Sequence, residues 1–109
     1  MTRRLPSTSA LLALEAAARH QSFARAAHEL SLSEGAISRQ IAKLEQFLGV
    51  RLFLRAGNRV ELSSAGVRYA AQMRTVLADM ERHTRQAMSE TTTGVALEIG
   101  SSPPWPAAG

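Results

Sequence analysis

The 109-residue chain contains no cysteine, which excludes a disulfide scaffold and any thiolate metal site. It is poor in aromatics, with one tryptophan, one tyrosine and three phenylalanines, so its core must be built mainly from leucine, isoleucine, valine and alanine. Their abundance favours helix over sheet. No apolar run approaches the roughly 18 residues that a membrane span requires. The basic start Met1-Thr2-Arg3-Arg4 leads into an amphipathic pattern rather than a signal-peptide block. A cytoplasmic location with no membrane partner is therefore expected. Catalytic constellations are missing as well. His20, His28 and His83 lack ligand spacing, and His28-Glu29 has no second histidine of a zinc-protease helix. No Gly-x-Ser-x-Gly turn and no glycine-rich phosphate loop occur, and the carboxylates are scattered along helices. The chain is read as not an enzyme, with no cofactor and no metal.

What the chain does have is positive charge: 13 basic against 9 acidic residues, a formal net charge of +4. Twelve of the thirteen are arginine, the side chain whose planar fork suits phosphates and guanine edges. Such a balance speaks of partners only once the charges are placed on a fold.

Leu5-Pro6-Ser7 reads as an extended entry, since Pro6 restricts the residue before it. From Thr8 to about Arg19, Leu11, Leu14, Ala17 and Ala18 recur at helical spacing. Ser22 is a good N-cap for a short second helix striped by Phe23, Ala26, Ala27 and Leu30. Ser31-Leu32-Ser33 breaks the pattern, and Ser33 caps a third helix whose first turn holds Glu34, favoured there by the helix dipole. Ile37, Ile41, Leu44 and Leu48 form its buried stripe, and Gly49 stops it. Two helices joined by a short polar turn, the second longer, make a helix-turn-helix. Val50–Leu54 and Val60–Leu62 are β-prone runs around Gly57-Asn58, which can supply the positive φ of a tight hairpin. A hairpin in this place is a wing.

Ser63 can cap a fourth, much longer helix reaching about Ser89. Along it Gly66, Ala70, Met73, Leu77, Met80, Thr84 and Ala87 alternate by four and three, the spacing of a coiled-coil seam. Either the helix packs back on its own domain, or Ala70, Met73, Leu77, Met80 and Thr84 form a dimer seam, the reading preferred here. Thr91–Gly94 reads as a linker. Val95–Ile99 alternates like a single strand, and the Pro/Gly/Ser/Ala-rich residues after it are expected to be disordered. The fold class expected is mainly α: a winged helix-turn-helix over residues 1–62, a linker or dimerisation helix over 63–90, and a tail over 91–109.

If the stripe of the third helix faces the core, then Gly35, Ser38, Arg39, Ala42, Lys43 and Gln46 face outward. Small Gly35 and Ala42 permit close approach to a groove floor, and Ser38 and Arg39 can donate to bases or phosphates. Arg55 and Arg59 bracket the hairpin tip, where they would lie along a backbone or enter the minor groove. Ser22 and Ser33 stand at helix N-termini that can present N–H groups to phosphates, although capping alone explains them. With Arg25 and Glu34, and leaving out Gln46, these residues make up the expected contact surface for double-stranded DNA.

The stretches Phe23-Ala24-Arg25-Ala26-Ala27-His28-Glu29-Leu30 and Gly35-Ala36-Ile37-Ser38-Arg39-Gln40-Ile41-Ala42-Lys43-Leu44-Glu45 resemble the N-terminal domain of LysR-type transcriptional regulators. So do Leu48-Gly49-Val50-Arg51-Leu52-Phe53-Leu54-Arg55 and Leu62-Ser63-Ser64-Ala65-Gly66. Leu5 to Phe23 most resembles the subgroup of glycine-cleavage and β-lactamase activators. The resemblance covers roughly residues 5 to 100. It implies sequence-specific regulation of transcription by a homodimer, joined through the linker helix, with two recognition helices on a partly palindromic operator. Higher oligomers are implied for full-length members. Residues 95–100 look like the first strand of the family's effector-binding domain, so a fragment lacking that domain, and with it any small-molecule effector, is expected. Two departures stand out. Glu34 occupies a position where the family commonly has glutamine, and Ala24 replaces a hydroxyl residue. An alternative function is an interaction fragment that dimerises with full-length regulators without binding DNA productively itself.

Overall fold

Four serines start the four helices. The hydroxyl oxygen of Ser7 accepts from Ala10 N (3.1 Å), that of Ser22 from Arg25 N (3.1 Å), that of Ser33 from Ala36 N (3.0 Å) and that of Ser63 from Gly66 N (3.0 Å). Each satisfies an amide that the first helical turn leaves without a partner, a contribution of about 1 kcal/mol. The computed structural model describes residues 4–56 and 59–98, with side chains described through Glu90. The elements are α1 (Thr8–His20), α2 (Phe23–Leu30), α3 (Glu34–Leu48), β1 (Phe53–Ala56), β2 (Arg59–Leu62) and α4 (Ser64–Glu98). The mainly helical winged fold is the one expected. The Gly57-Asn58 turn and residues 99–109 lie outside the described residues.

Residues through Leu77 form one unit, and those from Ala78 a second. In the first, α1, α2 and α3 pack on one another, and α1 is buried over a wider arc than its leucine stripe implies. Ala10, Ala13, Ala16 and Ala17 are buried beside Leu11 and Leu14, so methyl-sized side chains let neighbouring helices approach closely. Phe23, Ala26 and Ala27 of α2 and Ile37, Ile41 and Leu44 of α3 close over them, with Leu30 and Leu48 partly buried at the rim. Those stripes match the sequence reading.

The three helix stops differ in chemistry. Gly49 takes φ +78° at no steric cost, whereas Gln21 (φ 52°) and Ser31 (φ 56°) enter the same left-handed region with side chains attached. At Ser31 the amide turns back to the Ala27 and His28 carbonyls, which fixes the turn between α2 and α3.

The hairpin starts three residues later than its apolar run suggests. Its register pairs Phe53 with Leu62, Leu54 with Glu61, Arg55 with Val60 and Ala56 with Arg59. Arg51 and Leu52 stay out of the sheet because their backbone groups are used elsewhere. The Leu52 and Phe53 amides both donate to Glu45 Oε2 (2.8 and 3.0 Å), and the Leu52 carbonyl accepts from Ser63 N (2.9 Å). Ser63 also donates through its hydroxyl to the Arg51 carbonyl at 2.6 Å.

α4 enters the core through Gly66, where a Cβ would stand 2.1 Å from the Leu52 carbonyl oxygen. Only glycine permits this approach. Ala70 is buried in the core, and Tyr69 and Met73 pack against it. Ala70 and Met73, two positions of the expected dimer seam, therefore contribute to the domain's own core, as does Gly66 of the same heptad spacing. The second unit begins with residues of α4 that are mostly exposed, Met80 among them. α4 also continues to Glu98, through residues expected as a linker and a strand. Extending a helix adds one hydrogen bond per residue with no new nucleus, whereas a lone strand leaves its backbone groups without a partner.

Candidate nucleic-acid interface

The buried stripe of α3 dictates what its other side offers. With Ile37, Ile41 and Leu44 turned inward, Glu34, Gly35, Arg39, Ala42, Lys43 and Gln46 are exposed and Ser38 is half-buried. The helix begins on Ser33, so its N-terminal amides and dipole favour negative charge at the same end as Gly35 and Ser38. A Cβ at Gly35 would find only Arg39 Nη1 at 3.6 Å and Ser33 Oγ at 3.9 Å, ordinary contacts. The fold itself does not require glycine there.

The cations of this surface are free of carboxylates. Among the described residues, Arg25, Arg39, Lys43, Arg55 and Arg59 make no ion pair. Arg19, by contrast, is saturated: it holds Glu15 (2.8 Å) and Glu29 (2.6 Å), and His20 Nε2 also meets Glu29 at 2.6 Å. This network joins the ends of α1 and α2. The Arg19 guanidinium and then His20 pull the Glu29 carboxyl down to about 2, and Arg19 also lowers that of Glu15. One guanidinium is thereby shared between two carboxylates. In the second unit Arg82 is likewise paired, with Asp79.

The sequence reading treats the two wing arginines alike, and the hairpin register separates them. Arg55 pairs with Val60 and Ala56 with Arg59, adjacent rungs whose side chains lie on opposite faces. Arg55 shares its face with Phe53. Both meet Phe23 at the start of α2: the Phe53 ring edge-on at 5.4 Å, the Arg55 guanidinium carbon 5.5 Å from the ring centre. This cation–π contact ties the wing to α2. Arg59, on the other face, is exposed, and among the described residues it has no such tether.

Ser22 and Ser33 are engaged as caps through their hydroxyl oxygens, the role that suffices to explain them. Arg25 is exposed one turn into α2. Three things were missed in the sequence: the Glu45 brace, the close approach at Gly66, and the Phe23–Phe53–Arg55 stack. Each joins residues distant in sequence, and only the Phe23 and Phe53 pairing had a signal, since aromatics are scarce. Arg51, exposed in the loop before β1, is a further basic residue beside the wing.

Comparison with known proteins gives this surface its context. Residues 8–67 match the family described as bacterial regulatory helix-turn-helix protein, lysR family. The glycine cleavage system transcriptional activator of Escherichia coli is 38% identical over 103 residues, covering 94% of this chain and 33% of that protein. The HTH-type transcriptional regulator TrpI of Pseudomonas aeruginosa is 45% identical over 94 residues, covering 80% of this chain and 32% of its own. The chain thus spans about a third of the length of these curated relatives. Among solved structures, the CbnR DNA-binding domain in complex with DNA superposes with a TM-score of 0.72 at 29% identity, covering 78% of this chain and 98% of that one. These relatives are regulators rather than enzymes, and the chain belongs to the LysR family, whose helix-turn-helix DNA-binding domain it carries.

Proposed function

We propose that the chain regulates transcription by binding a partly palindromic site in double-stranded DNA as a homodimer in the cytoplasm. α3 enters the major groove with Glu34, Gly35, Ser38, Arg39, Ala42 and Lys43 toward the bases. Ser22, Arg25, Ser33 and the wing residues Arg55 and Arg59 meet the backbone or the adjacent minor groove. The observation that carries this reading is the set of cations without carboxylate partners on and around the outer face of a serine-capped helix. Dimerisation through α4 rests on Leu77, Met80 and Thr84, which continue the heptad spacing past the part of the helix occupied by its own core. Among them Met80 is 46% exposed.

Binding to duplex DNA measured against salt concentration, for wild type and Arg39→Ala, tests the proposal. Each phosphate contact adds about 0.9 to the log–log slope. A slope of several units is expected, with the variant weaker by about 1–3 kcal/mol if Arg39 contacts a base. Flat, negligible binding by folded wild type would leave a dimerising fragment instead.

A further inference from the structure

Glu45 lies on the recognition helix, yet its carboxylate is spent on the wing. A single oxygen, Oε2, accepts from two consecutive amides, Leu52 N at 2.8 Å and Phe53 N at 3.0 Å, at the stem where the loop becomes β1. Charge-assisted bonds of this length are the stronger kind, and two from one atom fix direction as well as distance. The stem is also tied to other elements: Ser63 and Gly66 hold Leu52 to the start of α4, Phe53 and Arg55 meet Phe23 on α2, and Leu52 and Phe53 share the apolar core with Ile37, Ile41 and Leu44. Glu45 supplies the hydrogen bonds between the stem and α3. It sits three residues beyond Ala42 and six beyond Arg39 on that same rigid helix.

We infer that Glu45 is a positioning residue for DNA binding, which sets the wing relative to the recognition helix so that Arg59 and Arg39 reach the duplex in one register. The inference rests on the DNA-binding reading above. Positioning of this kind differs from simple stabilisation in one respect. Loss of the brace removes what the wing contributes and spares what α3 contributes by itself.

The test is a set of double-mutant cycles on DNA affinity and its salt slope. Glu45→Gln keeps an oxygen able to accept both amides. Glu45→Asp keeps the charge but withdraws the acceptor by one methylene. Glu45→Met keeps length and helix propensity without an acceptor. Folding is followed by thermal unfolding. Glu45→Gln should bind within about twofold of wild type. Glu45→Asp and Glu45→Met should lose at least as much affinity and slope as Arg59→Ala does, because Arg55 belongs to the same wing, at roughly 0.9 in slope per lost phosphate contact. Adding Arg59→Ala to either should then cost nothing more, whereas adding Arg39→Ala should cost its full amount. If Glu45→Met does not fold, the comparison of Asp with Gln decides alone. Additive losses with Arg59, or equal coupling to Arg39 and Arg59, overturn the inference. Failure of the wild type itself to bind overturns the DNA reading, a result distinguishable from either.

Discussion

Gly35 separates what the fold needs from what a DNA surface needs, and Gly35→Ala exploits the difference. The added methyl would meet Arg39 Nη1 at 3.6 Å and Ser33 Oγ at 3.9 Å, neither close enough to displace anything. Gly35 is the second residue of α3, and replacing glycine by alanine within a helix is favourable by roughly 0.5–1 kcal/mol. Taking the lower figure for a first-turn position, the melting temperature should rise by about 2–4 °C for a domain of this size. If α3 approaches the groove floor through this bare backbone, the same methyl intrudes on the duplex. A methyl forced into packed space costs about 1–3 kcal/mol, or roughly five- to 150-fold in Kd. Thermal unfolding and fluorescence-anisotropy titration with duplex DNA read the two quantities on one preparation. A variant with raised melting temperature and unchanged Kd would show that Gly35 does not face the DNA and would refute the assigned docking of α3.

Other substitutions probe different links. Gly66→Ala places a methyl 2.1 Å from the Leu52 carbonyl oxygen, so a loss of about 3 kcal/mol or more is expected in denaturant unfolding, at the upper end for overpacking. Near-normal stability would mean that α4 can slide away from Leu52 freely. Glu34→Gln removes an exposed carboxylate from the first turn of α3 and should tighten binding or shift base preference. Unaltered affinity over a panel of duplexes argues against any contact there. The Arg19 network holds Glu29 ionised down to about 2, below its ordinary 4.5, so its contribution to stability is present at neutral pH and goes as pH falls from about 4.5 toward 2. Melting temperatures of wild type and Glu29→Gln should therefore converge over that range. A constant gap would show that the pair does not titrate as described.

Elements that depend on neighbours in sequence are legible in the sequence alone. The stripes of α2 and α3, the caps at Ser22, Ser33 and Ser63 and the stop at Gly49 each follow from spacing within one turn or two. The breadth of burial on α1 is not, because alanine reads as neutral until two helices are seen closing on it. The strand boundary failed for a related reason. Val50–Leu52 are β-prone, but Glu45 and Ser63 capture the local backbone groups, a competition settled by residues at least seven positions away. At the interface, the choice of helix and its outward residues could be read from the stripe alone. The inequality of Arg55 and Arg59 could not, since it depends on a hairpin register that places one of them over Phe23.

The alanines of α1 bear on how such a domain can change over generations. Ala13, Ala16 and Ala17 have no exposed surface at all, and any larger side chain there would overpack the core that α1 shares with α2 and α3. Almost every substitution at these sites is therefore closed, whereas exposed positions on the outer side of α3 have room for a larger side chain. Drift toward a new operator can proceed through the second set without disturbing the first. A lineage can then acquire many binding preferences while its helices keep one spacing.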